Sequence, residues 1–128
     1  MALPEIVDEV ARHGVHHVCV TGGEPLAQKG CLALLEALCD AGHEVSLETS
    51  GALDIAGVDR RVSRIMDLKA PGSGEVDKNR YENLAELTAH DELKIVLANT
   101  GDYDWAREQI ARHRLDQRCN VLLSPVAG

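Results

Sequence analysis

Phenylalanine is absent from the 128 residues, and Tyr81, Tyr103 and Trp105 are the only other large aromatics. The core is therefore expected to be aliphatic, built from Val, Leu, Ile and Ala. Basic residues are also in deficit: 13 Lys and Arg against 21 Asp and Glu give a formal net charge of −8. Those bases are scattered along the chain. Nucleic acids and anionic membrane surfaces are bound through concentrated positive charge, so neither is an expected partner. No apolar run approaches the length of a membrane span, and the N-terminus lacks the basic-then-apolar plan of a signal peptide. A cytosolic setting is the expectation. Cysteine pairing is missing too: none of Cys19, Cys31, Cys39 and Cys119 is two or three residues from another. That spacing excludes a zinc knuckle or a redox Cys-x-x-Cys pair and leaves buried thiols as the default.

What remains is the balance of a folded globular protein, with 45% hydrophobic and 27% charged residues, in a length suited to one domain over 1–128. Leu3, Ile6, Val7, Val10 and Ala11 recur at helical spacing, with Pro4 in the first turn and Gly14 past the end. Val15 to Val20 reads as a strand. Lys29 to Ala41 reads as a helix with Cys31, Leu34, Leu35, Leu38 and Cys39 inward, stopped by Gly42. Strands are expected at Glu44 to Thr49, Arg64 to Leu68, Leu93 to Ala98 and Cys119 to Leu123. Short helices are expected at Val58 to Val62 and Lys78 to Leu87, and Asp102 is a plausible N-cap for a helix through His113. This alternation predicts an α/β domain: a parallel sheet with helices packed against it.

The strand ends are polarised. The first runs into Thr21-Gly22-Gly23-Glu24-Pro25, where two glycines can take positive φ and expose backbone, and Glu24 suits an ammonium group. The others end in Glu48-Thr-Ser-Gly51, Asp67-Leu-Lys-Ala-Pro-Gly-Ser-Gly74, Asn99-Thr-Gly-Asp102 and Ser124-Pro-Val-Ala-Gly128. Any one of these is equally a turn or a surface ion pair. Five in succession point to a site, because ligands of parallel sheets gather at the C-terminal strand ends. The histidines carry less information: His16 and His17 are adjacent on an expected strand, which would send them to opposite faces. The residues alone support no catalytic side chain and no metal set.

In order and spacing, Thr21-Gly-Gly-Glu-Pro, Glu48-Thr-Ser-Gly and Asp67-Leu-Lys-Ala-Pro-Gly-Ser-Gly resemble the radical S-adenosylmethionine superfamily. Taken together they resemble its 7-carboxy-7-deazaguanine synthase family. The resemblance implies part of a (β/α)6 partial barrel. It also implies ring contraction of 6-carboxy-5,6,7,8-tetrahydropterin in queuosine biosynthesis, a lyase reaction using S-adenosylmethionine, a [4Fe–4S] cluster and Mg²⁺. By position, Gly22, Gly23 and Glu24 would hold the methionyl amino group. Glu48 and Ser50 would meet the ribose and methionine portion, and Asp67 and Lys69 the nearby polar groups. Thr21 would face the pterin, with Ser124 and Pro125 on the far side.

The family's Cys-x-x-x-Cys-x-x-Cys loop has no counterpart here, and neither has its Mg²⁺-binding threonine. Three close thiolates are needed to hold such a cluster. The expectation is a chain matching the middle and later part of the barrel, inactive as a synthase by itself and self-associating, as a homodimer, to cover an exposed strand edge. Two alternatives stand beside it. One is a non-catalytic α/β fragment serving assembly. The other is an unrelated nucleotide-binding open sheet, weakened by the lack of Gly-x-Gly-x-x-Gly or a P-loop lysine.

Overall fold

The computed structural model describes residues 3–126, so Ala127 and Gly128 of the fifth strand-end loop lie outside the described residues. Helix α1 (Leu3–Arg12) leads into β1 (His17–Val20), followed by α2 (Cys31–Asp40) and β2 (Glu44–Thr49). Strands β3 (Ser63–Asp67) and β4 (Glu92–Leu97) precede α3 (Thr100–His113), the single turn α4 (Leu115–Arg118) and β5 (Asn120–Pro125). All pairings are parallel and the strand order is β1-β2-β3-β4-β5. Because each strand lies beside its sequence neighbour, crossovers of one hand place every connection on the same side of the sheet. The expected parallel α/β sheet is present, wound as a segment of a barrel.

Burial follows that winding. Leu47, Leu93 and Ile95 are fully buried and Val45, Met66 and Leu68 nearly so, all facing the helices. Each such side chain contributes roughly 1.5–3 kcal/mol on leaving water. They form two aliphatic clusters, one around α2, β1 and β2 and one around β3, β4, α3 and α4, and Leu26 packs against both. The other sheet face has no helix over it among the described residues and carries Cys19, Glu48, Ile65, Asp67, Lys94 and Leu122. Register sets Glu48 beside Ile65, Asp67 beside Lys94, and Lys94 beside Leu122.

Several local expectations are corrected. Residues 58–62 form no helix, because the Asp54 and Asp59 carboxylates accept from the Ala56 and Arg61 N–H groups at 2.9 Å and close turns instead. Residues 78–87 do not form one α-helix but lie in two 3-10 pieces, Val76–Lys78 and Tyr81–Glu86. There Asn83, fully buried, donates to the Gly51 and Leu53 carbonyls and accepts from the Ile55 N–H, tying this segment to the crossover. Asp102 is not the N-cap of α3. Asn99 is, accepting from the Asp102 N–H at 2.9 Å. The Asp102 carboxylate is buried and accepts from Gly72 and Ala98 N–H, both at 2.8 Å. A Cβ at Gly72 would collide with that carboxylate, which is why the loop has glycine there. His16 precedes β1, so it does not oppose His17; both rings approach Glu44, at 3.6 and 3.9 Å.

One buried charge pair belongs to the helix-covered face. Asp91 accepts from Arg64 Nη2 at 2.7 Å and from the Arg64 and Thr88 N–H groups at 2.9 and 2.8 Å. Arg64 also donates to the Ile55 and Glu86 carbonyls. Burial opposes ionisation of Asp91, but the Arg64 side chain and the two backbone donors outweigh it and hold the carboxyl below its usual range.

Candidate functional site

The C-terminal strand ends meet around an open cleft. At the end of β1 the chain turns through Gly22 (φ 99°) and Gly23 (φ 51°). A Cβ on either would touch nothing within 4 Å, so backbone conformation rather than space requires glycine. Pro25 is buried and starts a 3-10 turn that redirects the chain toward α2. Glu24 then joins two strand ends: its Oε1 accepts from Thr49 Oγ1 at 2.6 Å and its Oε2 from the Ser50 N–H at 2.8 Å. Just beyond, Gly51 has φ 77° and packs so closely on Met66 that a Cβ would lie 2.8 Å from its Cγ.

The loop after β3 is fixed in a similar way. Asn79 accepts from the Lys69 N–H at 2.9 Å and donates to the Lys69 carbonyl at 2.8 Å. The Lys69 ammonium then reaches back to Asp67 Oδ2 at 2.8 Å. Asp67 Oδ1 is buried with no hydrogen-bond partner in the structure. An orphaned carboxylate oxygen costs free energy unless something completes it, which makes this atom a sign of a binding site.

The cleft encloses about 240 Å³ and is lined by Thr21, Gly23, Glu48, Thr49, Ser50, Ile65, Asp67, Lys69 and Lys94. Six of the residues singled out from sequence thus meet in one place: Thr21, Gly23, Glu48, Ser50, Asp67 and Lys69. Four do not line it. Gly22 faces an adjacent groove shared with Leu3, Pro25 and Lys29. Glu24 is committed to the ends of β1 and β2. Ser124 and Pro125 lie on the edge strand, in register with Val96 and Leu97. Thr49, Ile65 and Lys94 were missed. The alternation Leu93-Lys94-Ile95 held the signal for Lys94, since a lysine between two core positions must face the other side of the sheet.

Metal ligation has no comparable centre. Among the described residues no three His, Cys, Asp or Glu side chains gather into a metal-binding group. Cys31, Cys39 and Cys119 are buried, and Cys19 is exposed. Burial first, and nearby carboxylates second, hold all four thiols above their ordinary range. Among the described residues these thiols do not gather into the three-thiolate set that a [4Fe–4S] cluster requires. The cleft's lining offers charges of both signs beside hydroxyl groups. Among the described residues no helix is long and apolar enough to cross a membrane.

Comparison with known proteins agrees with this fold. The chain is 42% identical over 132 residues to a 7-carboxy-7-deazaguanine synthase of Chlorobaculum tepidum, covering 100% of this chain and 60% of that protein. A 7-carboxy-7-deazaguanine synthase of Koribacter versatilis is 44% identical over 108 residues, covering 83% of this chain and 48% of the relative. The chain therefore spans between about half and three fifths of the length of these relatives. The crystal structure of QueE from Escherichia coli superposes with a TM-score of 0.77 at 22% identity, over 99% of this chain and 55% of that one, a likeness of fold. The profile of the Radical SAM superfamily matches residues 2–72, which take in the first three strands and the glycine-rich loop at residues 21–25. The chain belongs to the radical SAM superfamily.

Proposed function

We propose that this chain forms the S-adenosylmethionine-binding sheet of a 7-carboxy-7-deazaguanine synthase, acting in ring contraction of 6-carboxy-5,6,7,8-tetrahydropterin during 7-deazapurine biosynthesis. The observation that carries the reading is the convergence of Thr21, Gly23, Glu48, Ser50, Asp67 and Lys69 on one cleft. The named relatives support it further. Gly23 presents backbone to the methionyl amino group, Gly22 beside it turns the chain at the edge of the adjoining groove, and Glu24 holds the strand ends that shape the pocket. Glu48 and Ser50 take the ribose and methionine portion, and Asp67 with Lys69 the adjoining polar atoms. Thr21 faces the pterin. Ser124 and Pro125 bound the far side once a ligand extends across β4 toward β5. Bound S-adenosylmethionine supplies the radical precursor, and the protein supplies its orientation.

The test is equilibrium titration of the chain with S-adenosylmethionine, with ATP and GTP as competitors. Saturable binding that neither nucleotide displaces is expected. No binding, or tighter binding of ATP or GTP, would overturn the reading. The cluster and Mg²⁺ belong to the whole enzyme in this proposal. We expect no iron–sulfur absorbance and no synthase activity after anaerobic reconstitution of this chain, and the appearance of either would contradict that. A cytosolic homodimer completes the proposal, since β1 and β5 each have one strand neighbour among the described residues. Sedimentation at a monomer's mass alone would sink the dimer.

A further inference from the structure

Lys94 is the charged cleft residue that neither the sequence motifs nor the resemblance assigned. It sits in the middle of β4 on the open face, in register with Asp67 on one side and Leu122 on the other. Opposite charges in direct register ordinarily pair across strands. Here the ion pair forms elsewhere: Asp67 Oδ2 is held by Lys69, two residues along its own strand end, at 2.8 Å. Among the described residues that is the ion pair of the cleft, and Lys94 and Glu48 have no ion-pair partner.

The cleft therefore presents one uncommitted ammonium beside two uncommitted acceptors, the Glu48 carboxylate and the buried Asp67 Oδ1. Separated charges of both signs complement a ligand that carries a carboxylate next to nitrogen donors. Ile65 lines the same wall, and Leu122, itself half-exposed, adjoins Lys94 in register.

From this arrangement we infer that Lys94 is a binding residue for a ligand carboxylate, setting the cleft's specificity for carboxylated over uncarboxylated ligands. The inference rests on the function proposed above, which offers two sources of that chemistry. One is the methionyl carboxylate of S-adenosylmethionine and the other is the carboxylate on the pterin ring. In either case the donors on the same ligand face Glu48 and Asp67.

The experiment compares wild type with Lys94→Met, which keeps the aliphatic stem, and with Lys94→Gln and Lys94→Arg. Each is titrated with S-adenosylmethionine, decarboxylated S-adenosylmethionine, 6-carboxypterin and pterin, with a thermal melt of every variant alongside. Lys94→Met and Lys94→Gln are expected to lose tenfold or more in affinity for one carboxylated ligand. Lys94→Arg should keep most of it, and the ligand without the carboxylate should bind all four proteins alike. Loss confined to S-adenosylmethionine assigns the methionyl carboxylate. Loss confined to 6-carboxypterin assigns the ring carboxylate. If wild type binds either carboxylated ligand and the Lys94 variants bind it equally well, the inference fails and the proposed function survives. If wild type binds none of the four, both fall together.

Discussion

Strand β3 carries two charged residues three positions apart, and they have opposite fates. Arg64 faces the helices, and its partner Asp91 accepts four hydrogen bonds of 3.2 Å or less from Arg64 and Thr88. Asp67 faces the open side, takes one ammonium at 2.8 Å, and keeps a buried oxygen with no partner. Both are carboxylate–cation clusters on one sheet. One is complete in itself, and one is complete only with something added. A closed polar network fixes a fold, whereas an open one at a strand end is where a ligand belongs.

The comparison is broken most severely at its closed side. Asp91→Ala strands the buried Arg64 guanidinium and should cost about 3–5 kcal/mol in unfolding free energy, measured by denaturant titration. Asn83→Ala removes the side chain that serves the Gly51 and Leu53 carbonyls and the Ile55 N–H. It should cost about 1–3 kcal/mol in the same assay. Gly51→Ala forces a side chain into positive φ and onto Met66, and should cost roughly 1–3 kcal/mol. A loss near zero in any of these would mean that the polar network does not hold the crossover as described.

Acid sharpens the same contrast. Asp91 ionises more readily folded than unfolded, so its contribution is fully present above the unfolded carboxyl value, about 3.9. It declines as pH falls below that value and is gone once pH passes the lower folded one. Asp91→Asn cannot titrate, so the stability gap between wild type and this variant should start to narrow as pH falls below about 4. A gap independent of pH would refute the assignment.

Legibility divided along the same line. Alternation in Leu93-Lys94-Ile95 and the helical spacing of Leu3, Ile6, Val7 and Val10 report which face is buried, so strands and long helices emerge from sequence. Gly22, Gly23, Glu48, Ser50 and Asp67 stand at strand ends, and a parallel sheet brings strand ends together whatever their sequence separation. The connections were opaque. Asn79 and Asn83 fall inside the helix expected at Lys78 to Leu87, but each spends its side chain on backbone groups 10 or more residues away, and those distant partners decide the local structure. That Glu24 also ties Thr49 and Ser50 was hidden because those partners are 25 and 26 residues away. Asp102 looked like a cap because its partner Gly72 lies 30 residues back.

The smallest expected effect on stability falls at the open side. The central claim is that Asp67 serves a ligand and not the fold, and Asp67→Asn tests it when S-adenosylmethionine titration and thermal melting are run on the same sample. The account predicts at least a tenfold loss of affinity, about 1.4 kcal/mol, with unfolding free energy within roughly 0.5 kcal/mol of wild type. A protein that binds S-adenosylmethionine as tightly as wild type but melts markedly lower would contradict it.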